Sequence, residues 1–116
     1  MGLFRMRNIM EINGHKAVIA YDADIELFRG EFIGLNGGAD FYADNVIDLR
    51  KEGEKSLQTF LDICQEQGIS PYKSYSGRFN VRISSELHCA AVTAAAAQNI
   101  SLNEWINQTI AKSLEK

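Results

Sequence analysis

Three sets of side chains in this chain could do chemistry, and the first is acidic. Asp22, Asp24 and Glu26, with Glu31 and Asp40 further on, are enough carboxylates to hold Mg²⁺ for a nuclease if they converged in space. Asp22 and Asp24 flank the end of an apolar stretch, where Asp is expected for turn chemistry, so a solvated turn is the better reading. The second set is His15, His88, Cys64 and Cys89. The histidines are separated by most of the chain, and neither has a Cys, Ser or carboxylate at a diagnostic spacing, so each reads as a surface or interface residue. The cysteines fall in two different helical segments without metal-like spacing and read as small buried hydrophobes. No catalytic residue, metal site or cofactor is therefore expected. The third set is Arg78, Asn80 and Arg82, which alternate with Phe79, Val81 and Ile83. On a strand, period-two alternation sends the polar three to one face and the apolar three to the other. Arg and Asn match the edges of guanine and adenine in the DNA major groove, which admits a two-stranded β-ribbon. The alternative is an edge strand with a solvated polar face.

The elements after this strand must position it. Ser84-Ser85 supply an N-cap, Glu86 sits in the first turn, and Leu87, Ala90, Ala91, Ala94 and Ala97 recur at helical spacing. Gln98-Asn99 is a stop, because Asn tolerates the left-handed conformation that ends helices. Ser101-Leu102-Asn103-Glu104 spells a capping box, with Ile100 and Trp105 either side of the cap. The second helix carries Leu102, Trp105, Ile106, Thr109, Ile110 and Leu114 as its apolar stripe, with Lys112 and Lys116 near its end.

This strand, helix, helix unit, over residues 77–116, resembles the ribbon-helix-helix DNA-binding domain of the Arc and MetJ repressor class. The resemblance implies that the strand pairs with its twin from a second subunit and that the ribbon enters the major groove, with Arg78, Asn80 and Arg82 as base readers. It also implies that the backbone N–H groups at Ser101 and Leu102 hold a DNA phosphate. The dimer core would be Phe79, Val81, Ile83, Trp105 and Ile106. The residues agree on dimerisation: a lone strand on two short helices leaves its edges and its apolar face uncovered.

The rest of the chain sets looser bounds. Of its 116 residues 46% are hydrophobic and 23% charged, ordinary for a globular protein, and no apolar run approaches the roughly 20 residues of a membrane span. Met1 to Met10 contains Arg5 and Arg7 but no apolar signal-peptide core, so a cytoplasmic location is expected. Residues 1–76 hold eight Lys/Arg against twelve Asp/Glu, a net of −4, while residues 77–116 hold four against three, a net of +1. Different partners are expected for the two parts. Ile9–Ile12 and His15–Tyr21 flank Asn13-Gly14, a strong hairpin signal, and Glu26–Leu35 and Ala39–Ala43 read as further antiparallel strands. Asp44 or Asn45 then caps a helix to about Gln67, with Val46, Leu49, Gly53, Leu57, Phe60, Leu61 and Cys64 on one face. Gly53 in mid-helix predicts close approach to the sheet. Gly68 ends the helix, and residues 71–77, with the only proline, read as a linker between a domain at 1–70 and one at 78–116.

With both parts in view, the chain from about residue 8 to 116 is similar to HicB-type antitoxins of type II toxin-antitoxin systems. The residues that carry this are Gly14–Asp22, Phe28–Leu35, Phe60–Cys64 and Tyr75–Ile83. Ser84-Ser85 stands where that family often has proline, and Met1–Arg7 lies outside the likeness. The resemblance implies an α+β chain: a partial ribonuclease-H-like domain without catalytic activity, a small antiparallel sheet with one packed helix, and an intersubunit β-ribbon behind it. It implies a cognate HicA-type mRNA-cleaving toxin as partner, operator DNA as ligand, autoregulation, and a homodimer at minimum, with a tetramer as the next assembly. Asp22, Asp24 and Glu26 are expected to face the toxin. Two rivals are a metal-dependent nuclease on the N-terminal carboxylates and a ribbon-helix-helix repressor that senses a small molecule.

Overall fold

The computed structural model describes residues 8–115; Met1–Arg7 and Lys116 lie outside the described residues. Among the described residues the chain is α+β, with a four-stranded antiparallel sheet and three helices. These residues divide into two compact units, one over residues 8–76 and a second over residues 77–115.

In the first unit the strands β1 (Ile9–Ile12), β2 (His15–Asp22), β3 (Leu27–Phe32) and β4 (Asp40–Ala43) pair in sequence order, as a meander. Asn13 and Gly14 take φ values of 49° and 80°, the left-handed pair that a two-residue hairpin requires. Alternation then directs Met10, Ile12, Ala17, Phe32 and Phe41 into one core. The helix α1 (Val46–Gln67) lies on that face, burying Leu49, Gly53, Leu57 and Cys64. Its N-cap is Asn45, whose side-chain oxygen accepts from the Asp48 N–H at 2.8 Å. Its end is Gly68 at φ 67°, with the Ile69 N–H donating to the Cys64 carbonyl at 3.0 Å.

The expected close approach at Gly53 is real. A Cβ there would stand 2.4 Å from Ile12 Cδ1 and 2.9 Å from Phe41 Cε2, while one at Gly30 would stand 2.2 Å from the Phe41 ring. The Phe41 side chain is thus clasped between a glycine of the sheet and a glycine of the helix. Arg50 extends the joint by donating to the Glu11 carbonyl at 2.8 Å.

Several expectations are corrected here. Glu26 is not in a strand: it sits in the turn before β3 at φ 54°, a conformation its side chain disfavours. Leu35 is not in β3, because Gly34 at φ 84° turns the chain after Phe32; Leu35 instead forms an isolated bridge with Tyr72. Val46 is exposed, since it is the first helical residue, at the end of the stripe. Residues 71–77, read as a linker, begin with a fastened segment. The Asn36 N–H donates to the Pro71 carbonyl at 2.7 Å and the Lys73 N–H to the Gly34 carbonyl at 2.9 Å. His15 stacks on the Tyr72 ring at 5.6 Å between centroids, and its Nδ1–H donates to the Asn13 carbonyl at 2.9 Å. His15 Nε2 also shares a hydrogen bond with the Tyr72 hydroxyl at 3.1 Å.

The second unit has two helices, α2 (Ser85–Ala97) and α3 (Leu102–Leu114), packed on one another. Ser84 caps α2, accepting from the Leu87 N–H at 3.1 Å. Asn99 takes φ 59° after α2, and the Ile100 N–H closes the end on the Ala95 carbonyl at 3.1 Å. Only half of the expected capping box forms: Ser101 accepts from the Glu104 N–H at 3.0 Å, while the Glu104 carboxylate accepts from Gln108 at 3.2 Å. Of the expected small-residue face of α2, Ala91 is buried and Ala94 half-buried, while Ala90 and Ala97 are exposed and Ala95 takes a buried place. Cys64 is buried as expected, but Cys89 is exposed.

Candidate nucleic-acid interface

The stretch expected to read bases runs from Arg78 to Ile83, directly into the cap of α2. In the single chain these residues are in no strand, for a plain reason. A strand is defined by pairing, and among the described residues the second unit contains no other strand to pair with. Phe79, Val81 and Ile83 remain 69%, 64% and 44% exposed. Of the side chains assigned to a dimer core, these three and Ile106 are therefore exposed in the single chain, and Trp105 is half-buried.

The helices tell the same story. No residue of α3 is buried; Trp105 and Leu102 are half-buried, and Ile106, Ile110 and Leu114 are exposed along the same stripe. On α2, Leu87 and Val92 are exposed as well. Such a run of apolar side chains on one small unit marks an interaction surface rather than scattered exposure.

Asn80 and Arg82 line an open hollow of about 530 Å³ together with Val81, Ile83 and His88. His88 is the fourth residue of α2, and its N–H donates to the Ser84 carbonyl at 2.9 Å. The sequence reads this histidine as a surface or interface residue and does not tie it to the alternating stretch; its one signal is its place a turn into the helix behind that stretch. At the other end of the unit, Ser101 and Leu102 stand as N-cap and first residue of α3. Their N–H groups are among those that an α-helix leaves without an internal acceptor.

Residues 60–110 match the model of the HicB family. The match runs from the last two turns of α1 through most of α3, less than half of the chain, and includes the whole alternating stretch and its helical support. No match to this chain was found among curated proteins or among solved structures.

The acidic residues of the first unit do not come together. Asp22 pairs with Leu27 at one end of the β2–β3 ladder, while Glu31 pairs with Val18 at the other. Four strand residues, roughly 13 Å, separate the two ends. Asp22 accepts from the Asp24 N–H at 3.0 Å, the local turn bond expected of Asp. Glu31 and Asp40 do meet, as cross-strand partners, but both pair with Arg29. The Asp40 hydrogen bond, helped by Tyr42, raises the Arg29 pKa above its usual value, so the site is an ion pair and not a cluster of open carboxylates. Among the described residues no group of three or more His, Cys, Asp or Glu could hold a metal ion, and no helix is long and apolar enough to cross a membrane.

Proposed function

We propose that this chain is a cytoplasmic antitoxin of a type II toxin-antitoxin pair, that it neutralises a HicA-type mRNA-cleaving toxin, and that it represses its own operon by binding operator DNA. The observation that carries the reading is the match of residues 60–110 to the HicB family. In this account residues 77–116 form a ribbon-helix-helix dimer. The alternating stretches of two chains pair as an antiparallel ribbon, which gives each stretch a strand partner and covers Phe79, Val81, Ile83 and the α3 stripe.

The ribbon's other face then presents Arg78, Asn80 and Arg82 to base edges, twice per dimer. The N–H groups at Ser101 and Leu102 hold phosphate and fix the register. The first unit is a shortened ribonuclease-H-like domain with no catalytic role of its own. Asp22, Asp24 and Glu26, at the β2–β3 turn, face the toxin, where opposite charge on an RNA-binding protein speeds capture.

Co-expression with the untagged product of the adjacent gene tests the reading. The tagged chain is expected to retain a small basic protein through purification, and to relieve the growth arrest that protein causes alone. A neighbour that neither co-purifies nor arrests growth would refute the antitoxin assignment.

A further inference from the structure

The hollow beside the alternating stretch has a chemistry of its own. Two side chains with N–H donors, Arg82 and His88, line it with the Asn80 amide and the apolar Val81 and Ile83, and no carboxylate does. Glu86 is two residues before His88 on α2, about 200° round the helix, and does not line the hollow. Nor do the charged groups of the packed helix α3, Glu104 and Lys112, or Glu115 at its end. Arg78, on the same stretch as Arg82, is not part of its wall.

A site with several donors and no acceptor charge suits an anion with several acceptor oxygens. Beside a strand that reads bases, the anion within reach is a phosphate of the DNA backbone. We propose that His88 is a phosphate-contacting residue of the operator interface and that, as an imidazolium, it makes DNA binding take up protons. The inference rests on the operator-binding reading above and deepens it.

The sign comes from linkage. Imidazole ordinarily changes charge between pH 5 and 8, and a phosphate partner favours the protonated form in the complex over the free protein. Affinity therefore rises as pH falls through that range and is lost as pH rises. Each phosphate newly paired at low pH also steepens the slope of log K against log salt by about 0.9, roughly 1.8 for a dimer.

The test uses the full chain and a fluorescent duplex of the sequence immediately upstream of its own coding region, titrated between about pH 6 and pH 8 at several salt concentrations. The wild-type protein is expected to bind several-fold more tightly at the lower pH, with the steeper salt slope. His88→Gln is expected to bind with little pH dependence, and His88→Lys to bind tightly at both pH values, with circular dichroism confirming that both variants fold. A pH dependence that survives in His88→Gln overturns the proposal. The wild-type salt slopes need no variant, and equal slopes at both pH values overturn it too. Absence of wild-type binding to the upstream duplex at every pH overturns instead the operator-binding reading, so the two failures are distinguishable.

Discussion

The two units of this chain differ in what they manage to bury. In the first, a meander and one helix enclose Met10, Ile12, Ala17, Phe32, Leu35, Ala39, Phe41, Leu49 and Leu57 in a continuous core. In the second, Ala91 and Ala95 alone are buried among the described residues, alongside neighbours as large as Phe79, Leu87 and Ile110 that are exposed. The first unit satisfies its sequence pattern within one chain. The second has the same kind of pattern, apolar on one side and polar on the other, and among the described residues no surface of its own unit covers it. On the dimer reading proposed above, that difference is what a partner chain supplies: burial worth about 1.5 to 3 kcal/mol per large side chain that the single chain leaves open.

Substitutions at matched phenylalanines break or sharpen this contrast most strongly. If Phe79 joins the core of a dimer, Phe79→Ala should cost about 3 to 5 kcal/mol in each chain, counted twice per dimer, and raise the dimer dissociation constant by orders of magnitude. At its exposure in a single chain the same change would cost less than about 0.5 kcal/mol. Sedimentation equilibrium separates the two. Phe41→Ala, in the first unit, should cost about 3 to 5 kcal/mol once, through loss of the ring clasped between Gly30 and Gly53. Denaturant unfolding should show its effect independent of protein concentration.

A smaller effect is expected at the polar face. Arg82→Ala should weaken operator binding by about 1 to 3 kcal/mol per protomer while non-specific binding falls only by the lost phosphate attraction. Val81→Ala is its control, lowering thermal stability without changing base preference. Gel-shift competition with operator and scrambled duplexes measures both. The smallest change concerns the cap that joins stretch to helix: Ser84→Ala removes the bond to the Leu87 N–H and should cost about 1 kcal/mol, read as a lower melting temperature at fixed concentration.

Where the deciding interaction is local, the sequence was legible. Asn13-Gly14, Asn45, Gly68, Ser84, Asn99 and Ser101 act through bonds within a few residues, and each takes its expected place. Gly53 was legible for another reason, since glycine in mid-helix on a packed face has few explanations other than close approach. What escaped depends on distant partners. Nothing near Tyr72 in the chain announces its bridge to Leu35 or its stack on His15. The ends of β3 were misjudged because Glu26 and Leu35 continue an alternation that the turns at φ 54° and 84° cut short. Alternation at Arg78–Ile83 was read as a strand because it specifies faces; it does not supply the partner that makes a strand, and in one chain that partner is missing among the described residues of its unit.

Amide hydrogen exchange over residues 78–83, measured on the full chain across a dilution series, tests the central claim most directly. In the dimeric ribbon every second amide of the stretch bonds to the twin strand, so protection should alternate along it at high concentration and fade on dilution, while β2 and β3 of the first unit stay protected throughout. Uniformly fast exchange at Arg78–Ile83 at concentrations where the protein sediments as a dimer would contradict the account. It would mean that the chains associate through some other face and that no base-reading ribbon forms.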